Sequence, residues 1–370
     1  MTIELQQVTK KFGDLTAVDR VDLTVGEGEV LCLLGPSGCG KTTTLRMIAG
    51  LEWATSGGIF LAGERVNGLA ARERNVAMSF QFYALYPSLN VRENLAYPLH
   101  AEGLGPADIG QRVAEIARIL QLDHVLHRTP GQLAEGEKQR VAVGRSIIRD
   151  AVCFLFDEPL SRLDVQLRET MRGEIKEVLE GLNKPTVIVT HDQLEALTMA
   201  DRIAVMQDGL IEQVASPHQI FASPANLFVA GFIGTPQMNL LPARLIERTA
   251  DGVNFDIAGQ KVLLPIDAAT SALRAGYRAT LGVRPRTFDL TSEPGADTLS
   301  AVVDIIEPMG AETLLHLLIG DQELRVVVDR RQKPAIGQTV HLRCRPTQLH
   351  LFGKDGQRID LASFAHTASA

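Results

Sequence analysis

Eight residues constrain this chain most: Gly35-Pro-Ser-Gly-Cys-Gly-Lys-Thr42, set between the apolar run Val30–Leu34 and a stretch carrying Leu45, Met47 and Ile48 at helical spacing. In a Gly-x4-Gly-Lys-Thr turn the glycines let successive backbone N–H groups point at one spot, where the following helix also aims its positive end. Gly35, Ser37, Gly38, Cys39 and Gly40 therefore read as a phosphate cradle. Lys41 is placed to reach the β- and γ-phosphates, Thr42 to offer a hydroxyl to Mg²⁺, and Thr43 completes the nucleotide-facing set.

The chain has 370 residues, 45% hydrophobic and 22% charged, which suits two soluble domains, each large enough to bury a core. A net charge of −7 with no basic stripe excludes nucleic acid as the main partner. Residues 1–10 are polar and lack the basic start and apolar core of an export signal, and no apolar stretch approaches the ~18 residues a membrane helix needs. A cytosolic working place is expected.

Cys32, Cys39, Cys153 and Cys344 have no paired spacing, so neither a zinc cluster nor a disulfide framework is predicted. Cys32 and Cys153 sit in apolar strand patterns and read as packed thiols. Cys39, at the mouth of a helix N-terminus, reads as an activated thiol open to small reagents. His316, His341, His350 and His366 lack metal-ligand spacing and read as structural.

Strand and helix patterns alternate to about residue 235, as in an α/β domain with a largely parallel sheet. Val113, Ile116 and Leu120 recur at helical spacing and make residues 107–127 a helical insert within a subdomain spanning about 84–150. From 236 onward, short alternating strands such as Val253–Ile257, Val262–Leu264, Ala279–Val283 and Glu323–Val328 are separated by Gly, Pro and Asp turns. That texture predicts a second, β-rich domain over 236–370, built as one or two small barrels.

A phosphate cradle alone fits kinases, GTPases, helicases and transport ATPases, so other segments must choose among them. Cys153-Phe-Leu-Phe-Asp157-Glu158 is an apolar strand ending in two carboxylates, Asp157 to hold Mg²⁺ through water and Glu158 to polarise an attacking water. Val187-Ile-Val-Thr190-His191 is a second buried strand ending in a histidine able to donate to the γ-phosphate. Gln81 follows the strand pattern Asn75–Phe80, where a neutral amide can touch both Mg²⁺ and the attacking water. Leu133-Ala134-Glu135-Gly136-Glu137, ahead of a helical run, and Ser161-Arg-Leu-Asp164 complete the set.

In order, spacing and strand context this series resembles the nucleotide-binding subunits of ATP-binding-cassette transporters over residues 1–235. The resemblance implies an α/β P-loop NTPase cassette with a helical subdomain, ATP and Mg²⁺ as ligands, and ATPase activity. It further implies that Phe12 stacks on adenine with Val18 beside it, that Gln81 senses a transmembrane partner, and that Leu133–Glu137 and Asp164 act across a head-to-tail dimer.

The segments Phe80-Gln-Phe-Tyr-Ala-Leu-Tyr-Pro-Ser-Leu, Thr190-His-Asp-Gln-Leu-Glu-Ala-Leu-Thr-Met, Phe232-Ile-Gly-Thr-Pro-Gln-Met-Asn and Gly282-Val-Arg-Pro are similar to the ATPases of maltose-type and glycerol-phosphate-type importers. That likeness implies a C-terminal OB-like (TOBE) domain used for dimer contacts and regulation. It also implies a peripheral place on the cytoplasmic face of the inner or plasma membrane, permease subunits as direct partners, and an extracytoplasmic solute-binding protein as an indirect one. Similar barrels accompany ATPases for polyamines, ferric iron and sulfate, so the solute class rests on family likeness. Soluble machines of the same superfamily usually carry two cassettes or long coiled-coil insertions, and neither is present.

The chain has 13 Phe, 4 Tyr and 1 Trp, and four of these, Phe80, Phe82, Tyr83 and Tyr86, fall within seven positions. Such a cluster either fills a core or forms a groove for a partner's helix. The family likeness points to the groove, occupied by a coupling helix of the membrane subunit.

One segment departs from the family. Where relatives read Leu-Ser-Gly-Gly-Gln, Ala134 removes a hydroxyl, a loss of about 1.5–3 kcal/mol for a bond to a charged group. Glu135 and Glu137 add repulsion of about 2 kcal/mol per charge pair at about 8 Å and an effective dielectric of about 20. Lys138 and Arg140 are expected to offset part of it. The same two carboxylates also suit the first turn of a helix. Weakened closure would fit pairing with a second ATPase chain whose segment is complete; Lys41, Asp157, Glu158 and His191 argue against a dead enzyme.

Overall fold

The computed structural model describes residues 1–161, 163, 165–264, 266–268, 274–332, 334–345 and 348–363. Contacts divide the chain into two compact units, Met1–His218 and Gln219–Ala370.

The first unit is built on strands β1 (Ile3–Phe12), β2 (Leu15–Val25), β3 (Val30–Leu34), β4 (Ser56–Leu61), β5 (Glu64–Arg65), β6 (Val76–Ser79), β7 (Cys153–Asp157), β8 (Thr186–Thr190), β9 (Arg202–Gln207) and β10 (Leu210–Ala215). Its helices are α1 (Lys41–Ala49), α2 (Val91–Ala101), α3 (Pro106–Ile119), α4 (Glu135–Ile147), α5 (Val165–Leu182) and α6 (Gln193–Met199). Six strands form a sheet in the order β10-β9-β3-β8-β7-β6, parallel except for the β10 edge. A second, antiparallel sheet, β2-β1-β4-β5, has no counterpart in the parallel arrangement read from the sequence.

Fully buried parallel strands read as continuous apolar runs, and their alternate side chains serve two cores. Val30, Phe154, Phe156 and Ile188 pack with apolar residues of α2, α3, α4 and α5 on one face. Leu31, Leu33, Cys153, Leu155, Val187 and Val189 pack on the other with α1 and the antiparallel sheet. Among the insert residues, Val113, Ile116 and Leu120 all join the first core.

The strand order decides where the chemistry goes. Ligands of a parallel sheet bind beyond the carboxyl ends of its strands. In the neighbouring strands β3, β8, β7 and β6 those ends lead directly into the Gly35–Thr42 loop, His191, Glu158 and Gln81.

The second unit holds β11 (Asn239–Thr249), β12 (Gly252–Ile257), β13 (Gln260–Leu264), β14 (Ile266–Ala268), β15 (Arg278–Val283), β16 (Phe288–Thr291), β17 (Thr298–Met309), β18 (Glu312–Ile319), β19 (Gln322–Asp329), β20 (Thr339–Cys344), β21 (Leu349–Phe352), β22 (Arg358–Ile359) and β23 (Leu361–Ser363). They pair as β13-β12-β11-β15-β21-β22, β16-β20-β17-β18-β19 and β14-β23. One hydrophobic cluster runs from Leu241 to Leu351 and draws on both larger sheets, so the two barrel-like halves share a single core.

Sequence texture changes at 235/236, but packing divides the chain earlier. The helical segment Leu227–Phe232 is tied to the β-rich unit: the Leu227 amide donates to the Gly356 carbonyl at 2.9 Å, the Arg358 amide to the Ala225 carbonyl at 2.9 Å, and Ala230 packs on Met238 and Phe352. Buried Arg284 donates to the carbonyls of Ile233 at 2.8 Å and Phe221 at 2.6 Å and stacks 3.6 Å from the Phe221 ring centroid. Helical residues thus belong by contact to a domain that the strand pattern alone assigns to 236 onward.

Candidate active site

The Gly35–Thr42 loop is closed from below. A Cβ at Gly35 would strike the Met206 carbonyl and one at Gly40 the Ala17 carbonyl, and Gly40 has φ 106°. Only glycine fits there. Val18 is fully buried beneath this floor, so it props the loop instead of lying open beside a base. Ser37 and Gly38 face outward, and Thr42 and Thr43 are half-buried.

Gly40 caps α1 without a side-chain bond, and the first turn carries no acidic residue. The amides of that turn and the helix dipole are therefore available to an anion. Lys41 lies along the inside of the loop, its Nζ donating to the carbonyls of Gly35 and Pro36, each at 2.8 Å. These features fit a phosphate chain.

Cys39 departs from expectation. It is 3% exposed, within the core that includes Leu31 and Leu45, and its Sγ lies 3.6 Å from Lys41 Nζ. The chain direction at the helix start turns this side chain inward, so a reagent from solvent does not meet it at the mouth. Cys32 and Cys153 are buried as predicted and Cys344 is buried as well; burial pushes the Cys153 and Cys344 thiols up to about 12 and that of Cys32 higher still.

Thr42 Oγ1 donates to Asp157 Oδ1 at 3.1 Å. Burial pushes the Asp157 carboxyl above its ordinary value, against the pull of the Thr42 bond and of Arg46 and Lys41. A hydroxyl and one carboxylate are hard oxygen donors of the kind Mg²⁺ takes beside phosphate. Among the described residues there is no group of three His, Cys, Asp or Glu placed to hold a metal ion.

Glu158 stands just past β7 in the left-handed conformation, φ 51°, a strain of order 1 kcal/mol for a residue with a Cβ. Its carboxylate bridges two neighbouring strand ends: Gln81 Nε2 donates to Oε2 at 2.7 Å, and His191 Nδ1 lies 2.9 Å from Oε1. Three residues far apart in sequence are thus brought together as read from their motifs. Such a carboxylate, polarised from two sides, can accept a proton from water.

The His191 turn has a support that no motif announced. Thr190 Oγ1 donates to Glu195 Oε2 at 2.7 Å and accepts from the Asp192 amide at 2.9 Å, while Asp192 caps α6 and pairs with Arg168 at 3.0 Å. Glu195 is 2% exposed, and burial pushes its carboxyl up.

Phe12 is 46% exposed near the end of β1, with Lys10 Nζ 4.6 Å from its ring centroid. Phe80, Phe82 and Tyr86 are also exposed, which removes the core-filling alternative for most of that cluster. Tyr86 packs on Tyr97 with centroids 4.3 Å apart, beside a groove of about 480 Å³ that reaches Met78 and Arg149. Asn94, fully buried, fixes the loop by accepting from the Tyr86 amide and donating to the carbonyls of Tyr86, Leu89 and Asn90. An asparagine within an otherwise apolar helix face was the one sequence sign of this.

The Leu133–Glu137 segment opens α4. Ala134 is the N-cap and makes no side-chain cap bond, and Gly136 is buried against Leu167. Glu137 folds back to accept from the Ala134 amide at 2.8 Å and pairs with His124 at 3.2 Å. Glu135 accepts from Tyr83 and Lys138. Glu135 thus has a cation beside it and Glu137 a backbone donor with Arg128 at 4.0 Å, which reduces the repulsion expected across a dimer. Arg140 takes no part: it pairs with Glu174 at 3.3 Å and touches Met171 Sδ, because it lies on another face of the helix. Asp164 lies outside the described residues.

In the second unit, His341 Nδ1 lies 2.9 Å from Ser300 Oγ and His316 Nε2 3.3 Å from Glu307. His366 lies outside the described residues. Among the described residues no helix is long and apolar enough to cross a membrane.

A glycine cradle with Lys41 and Thr42, facing Asp157, Glu158 and His191 across the ends of a parallel sheet, defines a P-loop nucleotide hydrolase. A protein-family model described as ABC transporter matches residues 18–161, one described as MalK OB fold domain matches 234–287, and one described as TOBE domain matches 281–352. The chain is 44% identical to the sn-glycerol-3-phosphate import ATP-binding protein UgpC of Escherichia coli over 96% of its length and 99% of that protein. It is 45% identical to the protein of the same name in Salmonella typhi, with the same coverage. The dimeric post-hydrolysis structure of the ATP-binding cassette MJ0796, bound to ADP and Pi, matches with a TM-score of 0.53 and 30% identity, over 58% of this chain and 98% of that one. The chain belongs to the ATP-binding subunits of ABC transporters, which hydrolyse ATP.

Proposed function

We propose that this chain is the ATP-hydrolysing subunit of an importer, acting as one of a pair of cassettes beneath transmembrane permease subunits, with a solute of the glycerol-phosphate, polyol or sugar class. The observation that carries the enzymatic part is the Glu158 carboxylate held between Gln81 and His191, beside the Thr42–Asp157 pair. The solute class rests on the relatives' names.

In this reading Phe12 stacks on adenine, and the amides from Ser37 to Thr43 grip the phosphates. Lys41 swings from the loop carbonyls to the β- and γ-phosphates. Glu158 accepts a proton from the attacking water, Gln81 and His191 orient it, and His191 donates to the terminal phosphate. Mg²⁺, held by Thr42, Asp157 and Gln81, would neutralise phosphate charge. The exposed Phe80–Tyr86 segment docks a coupling helix of the permease, which places the chain peripherally on the cytoplasmic face. A solute-binding protein outside the membrane acts through the permease.

The purified full chain is tested by Mg·ATP thermal shift and phosphate release, with Lys41→Ala as control. Uptake of labelled sn-glycerol 3-phosphate, maltose and glycerol by cells with and without the gene then tests the solute. No Mg·ATP shift overturns the enzymatic reading; unchanged uptake of all three overturns the solute class.

A second reading is favoured by Ala134, which brings no hydroxyl to the start of α4: pairing with a different ATPase chain that supplies a complete segment. Equal hydrolysis at both sites of a dimer of this chain alone would exclude it.

A further inference from the structure

Side chains from two distant parts of the cassette meet above the loop that follows Gln81. Tyr83 Oη donates to Glu135 Oε2 at 2.8 Å, and Lys138 Nζ donates to the other carboxylate oxygen, Oε1, at 2.7 Å. Arg145, further along the same helix, donates to the carbonyls of Ala84 at 2.6 Å and Tyr83 at 3.2 Å. The loop is thus fastened to α4 near both of the helix's ends, and it also delivers Gln81 to Glu158.

Glu135 is the first residue of α4. A carboxylate there suits the helix dipole but has three rotatable bonds, so its partners set its direction. A charge-assisted bond from a phenol and a second from an ammonium fix that direction sideways, onto the chain's own loop.

We propose that Tyr83 and Glu135 form a latch that positions the start of α4 and keeps the Glu135 carboxylate turned away from the nucleotide bound by the opposite cassette. This rests on the dimeric ATPase reading above. Tyr83 and Glu135 are positioning residues: Tyr83 acts on turnover through Glu135, and Glu135 through the placement of its charge. Because the latch sits two residues from Gln81 and three from Tyr86, movement of the docking loop is carried to α4 through the same bond.

Tyr83→Phe removes the hydroxyl and keeps the ring. In the full-length protein it is expected to leave KM for ATP within about twofold and lower kcat about threefold to tenfold, the scale of the net contribution of one ordinary hydrogen bond. The deficit shrinks at 0.5 M KCl as the released charge is screened. In a Glu135→Gly background, or Glu135→Gln if that variant does not fold, Tyr83→Phe has little further effect. Amide exchange over residues 134–138 is expected to quicken in Tyr83→Phe whether or not the chain turns over ATP alone. Unchanged exchange, or an equal loss of kcat with and without Glu135, overturns the latch. A protein whose melting temperature ignores Mg·ATP sinks the ATPase reading instead; one that binds and hydrolyses yet ignores Tyr83→Phe sinks the latch alone.

Discussion

Thr42 Oγ1 lies 3.1 Å from Asp157 Oδ1 across 115 residues of sequence, joining the end of the phosphate loop to the end of a neighbouring core strand. The pair keeps an acidic group where burial disfavours its charge. Asp157→Asn is therefore expected to raise the melting temperature of the free protein, on the order of 1 kcal/mol of stability. The same change reduces the stabilisation by Mg·ATP and lowers turnover more than tenfold. Differential scanning fluorimetry with and without Mg·ATP reads both effects, and a free protein destabilised by the substitution would contradict the burial argument.

Glu158→Gln keeps the shape of the side chain but removes its proton-accepting charge. Turnover is expected to fall by about 10²–10⁴, the usual contribution of a general base, while ATP affinity is retained. Loss of Gln81 or His191 is expected to cost less, because each contacts the Glu158 carboxylate, which in the proposed mechanism accepts the proton. Steady-state phosphate release together with equilibrium nucleotide binding checks the split.

Glu195 sets a pH dependence in the first unit. Burial raises its carboxyl above the ordinary value near 4.5, opposed by the Thr190 hydroxyl bond, so the folded state holds the proton more tightly than the unfolded chain. Its stabilising contribution is complete below that ordinary value and is lost as pH rises through the raised one. Glu195→Gln removes this loss: the variant is expected to match the parent near pH 4.5 and exceed it by on the order of 1 kcal/mol at pH 8. Denaturant melts at the two pH values test it, and an equal difference at both would count against it.

His350 gives the opposite slope in the second unit. It is 7% exposed, and burial with the nearby charges of Arg358 and Arg284 pushes it from 6.5 to about 4. A lowered folded value means stability complete above about 6.5 and lost as pH falls toward 4, amounting to no more than about 3 kcal/mol. His350→Gln is expected to flatten this acid limb. Thermal melts of the full chain between pH 7 and pH 4.5, followed by a probe on the β-rich unit, check the slope.

The gathering of the candidate site was legible because each of its residues comes soon after an apolar strand: Thr42 after β3 and its loop, Glu158 after β7, His191 after β8, Gln81 after β6. Periodicity finds such strand ends, and a parallel sheet then gathers them. Periodicity does not say which strands pair, so β1, which meets both β2 and β4 antiparallel through a bulge near Gln7, was not foreseen as a separate sheet. Side-chain direction was equally hidden. Cys39 turns inward, Arg140 reaches Glu174 and not Glu135, and Tyr83 finds Glu135 across 52 residues. These outcomes depend on helix rotation by fractions of a turn, which no residue count reveals.

In the β-rich unit, β21 closes the sheet of β11 and β15 after the chain has completed the other sheet, and one apolar interior lies between them. Cutting the polypeptide near Thr287, where the two family regions meet, would strip β15 of its neighbour and open that interior to water. Neither fragment would be a stable module; expressed apart they would aggregate, and any exchange of β-rich units between relatives must transplant the whole of 219–363 together.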